Sequence, residues 1–173
     1  QKQQLFIAEG VKVVNELLKS SFKIDTLFAT DDFETDISSE KVMRISEKEL
    51  CKISNLKSPN QVLALFEIPV EKELQKNGFM LVLDAVNDPG NLGTIIRLCD
   101  WFGVTQILCT KDTVDCYNAK VVQASMGSLT RVSMKYIDVK TFLQNTDLPV
   151  FIADMDGNNV YKSSLPKEAV LVL

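Results

Sequence analysis

One short segment of the sequence combines residue types that could bind an anion. It reads LVLDAVNDPGNLGTIIR, an apolar run followed by a turn rich in Gly and Asn and then by a helical pattern. Backbone amides at the start of such a helix face outward and attract negative charge. Arg97 lies one helical turn beyond Gly93, and if Asn91 caps the helix the two side chains converge above the turn. Asn91 and Arg97 are therefore the first candidates for chemistry.

Simpler interpretations exist for the same residues. Gly90 and Gly93 could merely permit a tight turn, and an arginine between Ile96 and Leu98 could be an ordinary exposed helix residue. The spacing matches neither the dinucleotide-binding G-x-G-x-x-G pattern nor the phosphate-binding G-x-x-x-x-G-K-[ST] pattern. A nucleotide-binding α/β domain is therefore only a third hypothesis.

The composition restricts the chemistry further. The 173 residues include no histidine, which excludes Ser-His and Cys-His nucleophile pairs and an imidazole general base. The four cysteines form no C-x-x-C pair, so we expect no metal site and predict reduced thiols, with Cys99 and Cys109 as small core residues. A formal net charge of −4 argues against a nonspecific binder of phosphate backbones.

The first part of the chain alternates helical and strand patterns. Ser46 and Glu49 have the spacing of a capping box, which predicts a helix that buries Leu50, Ile53 and Leu56. The remaining predicted elements are a helix near Glu9–Lys19 and strands at Ile24–Thr30, KVMRIS and Gln61–Ile68. The charged stretch Pro69–Gly78 is the best candidate for a linker.

The second part begins with the nearly continuous apolar run Phe79–Val86, which is typical of a strand buried on both faces of a parallel sheet. We expect Asn87–Gly93 to form a tight turn and Thr94–Gly103 to form a helix. The pattern then continues through strands at TQILCT, RVSMKYI and VFIADMDG and helices at AKVVQAS and DVKTFLQN, the latter capped by Asp138. The predicted fold class is α/β.

The two ends of the sequence suggest a trimmed chain. It begins with Gln1 rather than Met and ends in the apolar run Lys167–Leu173, so we expect a fragment or a chain without its tail. No apolar run reaches the roughly 20 residues of a membrane span, and the first residues lack the apolar stretch of a signal peptide. We therefore expect a cytoplasmic protein that does not contact a membrane.

The sequence resembles the SpoU class, also called TrmH-like, of RNA ribose 2′-O-methyltransferases in the SPOUT superfamily. The resemblance rests on DPGNLGTIIR (Asp88–Arg97), on KVVQASMGSLTR (Lys120–Arg131) and, more weakly, on FIADMDG (Phe151–Gly157). In the first part, FIAEG and SPNQVLALFE resemble the start and end of the small substrate-binding domain of the family, which is similar to ribosomal protein L30e. The resemblance thus spans nearly the whole chain.

The resemblance implies methyl transfer from S-adenosylmethionine to a ribose 2′-hydroxyl of tRNA or rRNA by a homodimer. It implies an L30e-like RNA substrate-binding domain at residues 1–68, a linker at 69–78 and a SPOUT methyltransferase domain at 79–173. In the family, the C-terminal end of the parallel sheet forms a deep trefoil knot, an exception to the rule that chains are not knotted. The alternative is a non-catalytic module that binds RNA through its first domain and dimerises through its second.

The resemblance also assigns roles to individual residues. Arg97 matches the proposed catalytic residue of the family and Asn91 its orienting partner, while Ala153, Asp154 and Gly157 match the loop that touches the cofactor. We favour Arg97 as a donor to the phosphate and the developing alkoxide, with a general base as the family's alternative.

Two further positions and two missing motifs complete the expectations. Lys120 and Arg131 are candidates for gripping RNA phosphate, with a solvated surface position as the alternative for each. Trp101 and Phe102 are expected in core or dimer packing. The second family motif, a Gly-Asn-Glu-Gly loop, and the third, a Ser/Asn-rich helix start, do not occur in the sequence. We therefore expect the knot segment to be missing, the cofactor site to be incomplete and the chain to be inactive alone.

Overall fold

The computed structural model describes residues 4–71, 73–74, 78–164 and 166–173, and within them the chain forms two β-sheets that follow one another in sequence. The first has four strands in the order β1-β4-β2-β3. Its elements are β1 (Leu5–Glu9), α1 (Val11–Leu18), β2 (Ile24–Ala29), β3 (Val42–Arg44), α2 (Glu47–Ile53) and β4 (Val62–Glu67). Strand β4 pairs antiparallel with β1 and β2, whereas β2 and β3 are parallel.

The local signals in this first unit predict most of its elements. The capping box is confirmed, since the Ser46 hydroxyl accepts from the Glu49 amide and the Glu49 carboxylate accepts from the Ser46 amide. Only Leu50 of the three predicted core residues is buried in α2, because the helix ends at Ile53 and leaves that side chain 44% exposed. Leu56 lies beyond the helix, in the loop that leads to β4.

The start of the chain corrects the predicted first helix. Glu9 belongs to strand β1, which the sequence patterns did not predict, and α1 begins only at Val11. Gly10 separates the two elements with a φ of 79°, a conformation that glycine adopts without the steric cost of a side chain. A five-residue strand is too short for its alternation to stand out from the helical pattern that follows it.

The second sheet has five strands in the order β7-β6-β5-β9-β8, and all its pairs are parallel. The strands are β5 (Phe79–Leu83), β6 (Gln106–Cys109), β7 (Ser133–Tyr136), β8 (Val150–Ile152) and β9 (Ala169–Val172). Strand β5 lies between β6 and β9, which confirms the prediction of a central parallel strand within Phe79–Val86. The α/β fold class with a parallel sheet is therefore confirmed.

Helices cover both faces of this second sheet. Leu81 and Leu83 of β5 share a core cluster with residues of α3 (Pro89–Phe102) and α4 (Ala119–Ser125). Met80 and Val82 point to the opposite face, where they pack near α5 (Val139–Gln144). This alternation is what a strand buried on both faces requires. Asp138 caps α5 as predicted, because its carboxylate accepts from the Thr141 amide.

The two units share one hydrophobic core. Helix α4 lies against both α3 and β1, and the rings of Phe6 and Tyr117 have centroids 4.9 Å apart. Between the units, the described residues of the predicted linker Pro69–Gly78 belong to no helix or strand, while 72 and 75–77 lie outside the described residues. The division at 1–68, 69–78 and 79–173 stays a prediction. None of the helices in the described part of the chain combines the length and apolar character that a membrane span requires.

Candidate functional site

The strand order of the parallel sheet reverses between the two inner strands β5 and β9. The chain runs outward from β5 through β6 to β7 and then returns on the other side through β8 and β9, so β5 and β9 flank the reversal. Ligands of open α/β sheets bind outside the carboxyl ends of the strands at such a point. The loops after β5 and β8 both lie at the carboxyl ends of the strands. The loop after β5 leads into α3 with Asn91, and the loop after β8 contains Ala153 and Gly157.

Helix α3 begins directly after the loop that follows β5. Asp88 caps the helix, with its Oδ1 accepting from the Asn91 amide at 2.7 Å, and Pro89 occupies the first helical position. The predicted tight turn at Asn87–Gly93 is therefore wrong, because all but its first two residues are helical. Asn91 lies inside the first turn of α3 and is not its cap. An Asp-Pro pair is a strong start signal, and it outweighs the glycines that follow.

Gly93 has a packing role in this helix. A Cβ added to it would lie 2.4 Å from the Cβ of Ala124 and 2.8 Å from the carbonyl carbon of that residue, so α3 and α4 approach too closely for a side chain. Gly90 has no comparable backbone contact, and its nearest neighbour is the Asp88 carboxylate. The close approach of two helices therefore explains Gly93 without any bound phosphate.

Arg97 extends from α3 as an exposed cation. Among the described residues no hydrogen bond or ion pair engages its guanidinium. It lines an open groove of about 490 Å³ together with Thr94, Leu98, Asp100, Trp101 and Ser128. Six residues of an α-helix turn through about 600°, which leaves Asn91 and Arg97 roughly 120° apart around the axis and about 9 Å apart along it. The predicted convergence of the two side chains does not occur within this chain.

The same helix carries a row of exposed apolar side chains. Leu98 is 52% exposed, Trp101 84% and Phe102 74%, and Leu98 and Trp101 flank Arg97 on the groove. Core packing of Trp101 and Phe102 within this chain is thereby excluded. A helix face of this kind that is free in a single chain marks a surface for another molecule.

The two predicted RNA-binding cations differ in their surroundings. Lys120 is exposed near the start of α4, and its ammonium group has no partner in the described part of the chain. Arg131 instead donates from Nε and Nη2 to the Asp100 carboxylate at 2.9 and 2.7 Å, and from Nη1 to Glu16 of α1 at 3.3 Å. These hydrogen bonds from Arg131 hold the pKa of the Asp100 carboxyl below its ordinary value.

The predicted cofactor loop follows strand β8. The Ala153 amide donates to the Val172 carbonyl at 3.0 Å, and Asp154 closes a turn by accepting from the Asp156 and Gly157 amides. All the residues from Ala153 to Gly157 are exposed. The Asp154 carboxylate accepts from the Asp156 amide, so the turn itself accounts for an aspartate at position 154. The exposed backbone of this loop is left available to a ligand at the sheet edge.

Sequence patterns missed several polar residues that organise the two units. Glu9 is only 5% exposed, and its carboxylate accepts from the Ser54 hydroxyl and from the backbone and side chain of Asn55. Glu16, Thr110 and Thr113 also make contacts that no local pattern indicated. The one signal for these contacts in the sequence is Glu9 itself, which follows the apolar residues of FIAEG. A carboxylate buried with such residues needs hydrogen-bond partners.

Three of the four cysteines are buried, as predicted for Cys99 and Cys109. Burial raises the pKa of the Cys99 thiol to about 11 and those of Cys109 and Cys116 to about 12. These thiols are small core side chains with no nucleophilic character near neutral pH.

Comparison with known proteins identifies the family to which this fold and edge site belong. Residues 78–173 match the model of the SpoU rRNA Methylase family, which is more than half of the chain. The chain belongs to the SpoU rRNA methylase family. Residues 1–64 match a second model, the MRM3-like substrate binding domain. The motif with Asn91 and Arg97 therefore lies within the SpoU match.

Individual relatives agree with this assignment. The chain is 30% identical over 97% of its length to the Bacillus subtilis 23S rRNA (guanosine(2553)-2′-O)-methyltransferase RlmP, of which it covers 66%. It is 26% identical to the human mitochondrial rRNA methyltransferase 3 over 91% of its own length, and covers 41% of that protein. The chain thus spans from about two fifths to about two thirds of these relatives.

Solved structures of RNA methyltransferases superpose on nearly the whole chain. A TrmH-family protein from Porphyromonas gingivalis is 34% identical with a TM-score of 0.85, over 99% of this chain and 72% of that one. An AdoMet-bound rRNA methyltransferase from Sinorhizobium meliloti is 27% identical with a TM-score of 0.81, over 99% of this chain and 70% of that one. The SpoU fold is therefore shared along both units.

Proposed function

We propose that this SpoU chain takes part in methyl transfer from S-adenosylmethionine to a ribose 2′-hydroxyl of RNA, most directly rRNA. The observation that carries the proposal is Arg97, an exposed cation on the helix that starts at the edge where the strand order reverses. The names of the relatives support the reaction, since RlmP is described as a 2′-O-methyltransferase acting on 23S rRNA. The P. gingivalis and S. meliloti structures support the fold on which the reaction depends.

Arg97 serves this reaction as a clamp. A ribose hydroxyl is a weak nucleophile, so the protein must align it with the methyl group and stabilise the alkoxide that develops. A guanidinium cannot be deprotonated in proteins, but its planar fork can donate to a phosphate and an alkoxide at once. Because Arg97 has no partner in the described chain, its donors are available to RNA. Asn91, exposed about one and two thirds turns earlier on the helix, orients the same strand of RNA.

The cofactor supplies the methyl group when it is bound. The residues available to hold it are Ala153, Asp154 and Gly157, whose exposed backbone follows β8 at the carboxyl ends of the strands, with β9 between β8 and β5. These residues fit one wall of a site. The sequence contains no Gly-Asn-Glu-Gly loop. We therefore infer that these residues form only one side of the cofactor site, and that the other side and the trefoil knot require a segment that carries this loop.

Cofactor binding tests this inference directly. Calorimetry with S-adenosylmethionine should detect weak or no binding to the 173-residue chain and clear binding to a chain that carries the second and third family motifs. Micromolar binding by the 173 residues would show that the pocket is misplaced.

The first unit is proposed to bind the RNA substrate as an L30e-like domain, within the boundaries 1–68. Its support is the match of residues 1–64 to a substrate-binding model and the mixed four-stranded sheet.

Lys120 and Arg131 are proposed RNA contacts of the second unit. If both bind phosphate, Lys120→Ala and Arg131→Ala should each reduce the salt slope of RNA binding by about 1. Because two carboxylates already engage Arg131, a loss seen only for Lys120→Ala would remove Arg131 from the interface.

The partner that covers the apolar face of α3 is proposed to be a second copy of the chain. Trp101 and Phe102 are exposed on the helix of Arg97, which supports a dimer contact beside the proposed reaction site. Trp101→Glu should convert a dimer into a monomer in sedimentation experiments, whereas Tyr161→Glu, at an equally exposed aromatic on another element, should not.

The cytoplasmic location predicted from the sequence stays a prediction, since the relatives include mitochondrial proteins.

Mapping of ribose methylation tests the proposed reaction in cells. Ribosomal RNA from cells lacking the gene should lose a 2′-O-methyl mark that the wild-type gene restores and Arg97→Ala does not. Lys140→Ala is the matched control, because this exposed lysine lies on α5 at the opposite face of the sheet. An unchanged methylation map would favour the alternative of a non-catalytic module that binds RNA and dimerises.

A further inference from the structure

The loop between β5 and α3 contains a residue in an unusual backbone conformation. Ala85, two residues after the end of β5, has a φ of 54°. This left-handed region is disfavoured for any residue with a Cβ, and such a residue keeps the conformation only where its surroundings impose it. The loop therefore needs contacts from outside its own sequence.

Two threonine hydroxyls from the turn after β6 supply those contacts. The Ala85 amide donates to Thr110 Oγ1 at 2.9 Å, and the Val86 amide donates to Thr113 Oγ1 at 3.3 Å. The Val114 amide donates in turn to the Val86 carbonyl at 2.9 Å, which ties the two loops together. Thr113 is only 4% exposed, so bulk water cannot take the place of its hydroxyl.

The loop passes this geometry on to the helix that carries Arg97. The Asn87 side chain donates to the Ala85 carbonyl at 3.0 Å, and the next residue, Asp88, caps α3 through the Asn91 amide. The position of Asp88 decides where the first turn of α3 begins. The hydroxyls of Thr110 and Thr113 thus fix the start of the helix from the other side of the loop.

We propose that Thr110 and Thr113 are positioning residues for methyl transfer. They hold residues 84–88 so that α3 presents Asn91 and Arg97 to the RNA at a fixed height above the sheet edge. Neither hydroxyl needs to contact the RNA or the cofactor. This inference rests on the proposed function, in which Arg97 acts on the RNA.

A role limited to stability predicts a different response from a positioning role. Thr113→Val keeps the shape of the side chain and removes the hydroxyl, while Thr113→Ser keeps the hydroxyl and removes a methyl group. Thr110→Val is the second test, because it acts on the neighbouring amide if Thr113→Val does not fold. Thr146→Val is the matched control, since the Thr146 hydroxyl also accepts from a backbone amide, that of Leu148, at 3.3 Å.

The experiment measures two quantities in a chain that also carries the second and third family motifs. Amide hydrogen exchange at Ala85 and Val86 reports the loop, and steady-state methylation of rRNA from cells lacking the gene, with S-adenosylmethionine, reports the reaction. We expect both valine variants to speed exchange at these amides by about tenfold or more and to lower kcat by on the order of 10–10²-fold, with KM for the cofactor unchanged. Thr113→Ser and Thr146→Val should stay within about twofold of wild type.

Each other result overturns the proposal in a recognisable way. Unchanged exchange at Ala85 and Val86 in Thr113→Val would show that the hydroxyls do not hold the loop. Faster exchange with unchanged kcat would show that the loop does not position the reaction, and equal losses in the serine and valine variants would point to packing alone. If Arg97→Ala also keeps wild-type kcat, the proposed function is at fault, and the exchange data then decide by themselves whether the threonines hold the loop.

Discussion

Arg131 and Asp100 form a two-point ion pair between the end of α3 and the segment after α4. The guanidinium donates from Nε and Nη2 to the two carboxylate oxygens, and its Nη1 reaches Glu16 of the first unit, 115 residues away in sequence. Arg131 thus links the helix of Arg97 to α1. The fork geometry is specific to arginine, because lysine offers charge without two parallel donors.

This ion pair predicts a pH-dependent contribution to stability. Arg131→Ala should lower the free energy of unfolding at pH 7 by up to about 1 kcal/mol, since the groups are partly exposed. The Arg131 hydrogen bonds lower the folded-state pKa of Asp100, so the contribution is fully present above the ordinary value of about 4 and is lost as the pH falls through the lowered pKa. Urea unfolding of both proteins should show their difference narrow below about pH 4. A constant difference down to pH 2 would contradict the pairing.

Arg97 should matter for turnover and hardly at all for folding. If its fork joins phosphate and nascent alkoxide, Arg97→Lys should fail nearly as badly as Arg97→Ala, with a loss in kcat on the order of 10²–10³-fold. Both variants should unfold within about 0.5 kcal/mol of wild type, because the residue is exposed and has no partner in the described chain. Single-turnover methylation by the full-length protein, with cofactor binding measured separately, distinguishes the outcomes. Near-normal turnover in Arg97→Lys would make Arg97 an ordinary surface residue.

Gly93 should be the residue in α3 least tolerant of a methyl group. Gly93→Ala places a Cβ 2.4 Å from Ala124 and 2.8 Å from backbone, so the helices must separate, at a cost of about 1–3 kcal/mol. Gly90→Ala, in the same turn, meets only the Asp88 side chain and should be much milder. Chemical denaturation measures both. Combining Gly93→Ala with Ala124→Gly should recover part of the loss, and equal stabilities for the two single variants would refute the close helix contact.

The cysteines should separate sharply in an alkylation experiment. Burial raises the pKa values of Cys99, Cys109 and Cys116 to about 11, 12 and 12, so at pH 8 they are both protonated and enclosed. Cys51 is exposed on α2. Iodoacetamide on the folded protein should therefore modify Cys51 alone, as judged by peptide mass spectrometry, and all four thiols after denaturation. Modification of Cys116 at the rate of Cys51 would mean that the core opens readily.

The sequence by itself determined the features that depend on neighbouring residues. The capping box of α2, the Asp138 cap of α5 and the apolar strand within Phe79–Val86 all follow from local hydrogen bonding or from an uninterrupted apolar run. Asn91 and Arg97, which the family resemblance assigns to the site, both lie on α3 after that strand, and their roles stay predictions. The start of α3 is also a local feature, because the Asp88-Pro89 pair sets it ahead of the two glycines.

Only the tertiary structure decided which distant residues meet. Gly93 is required because α4 lies against it, Arg131 is engaged because Asp100 and Glu16 converge on it, and Ala85 is held by threonines 25 and more residues further along the chain. Sequence patterns carry the period of a helix or strand but not the identity of its packing partner. The strand order and the closeness of the two units, which set these partners, arise when the elements assemble into one core.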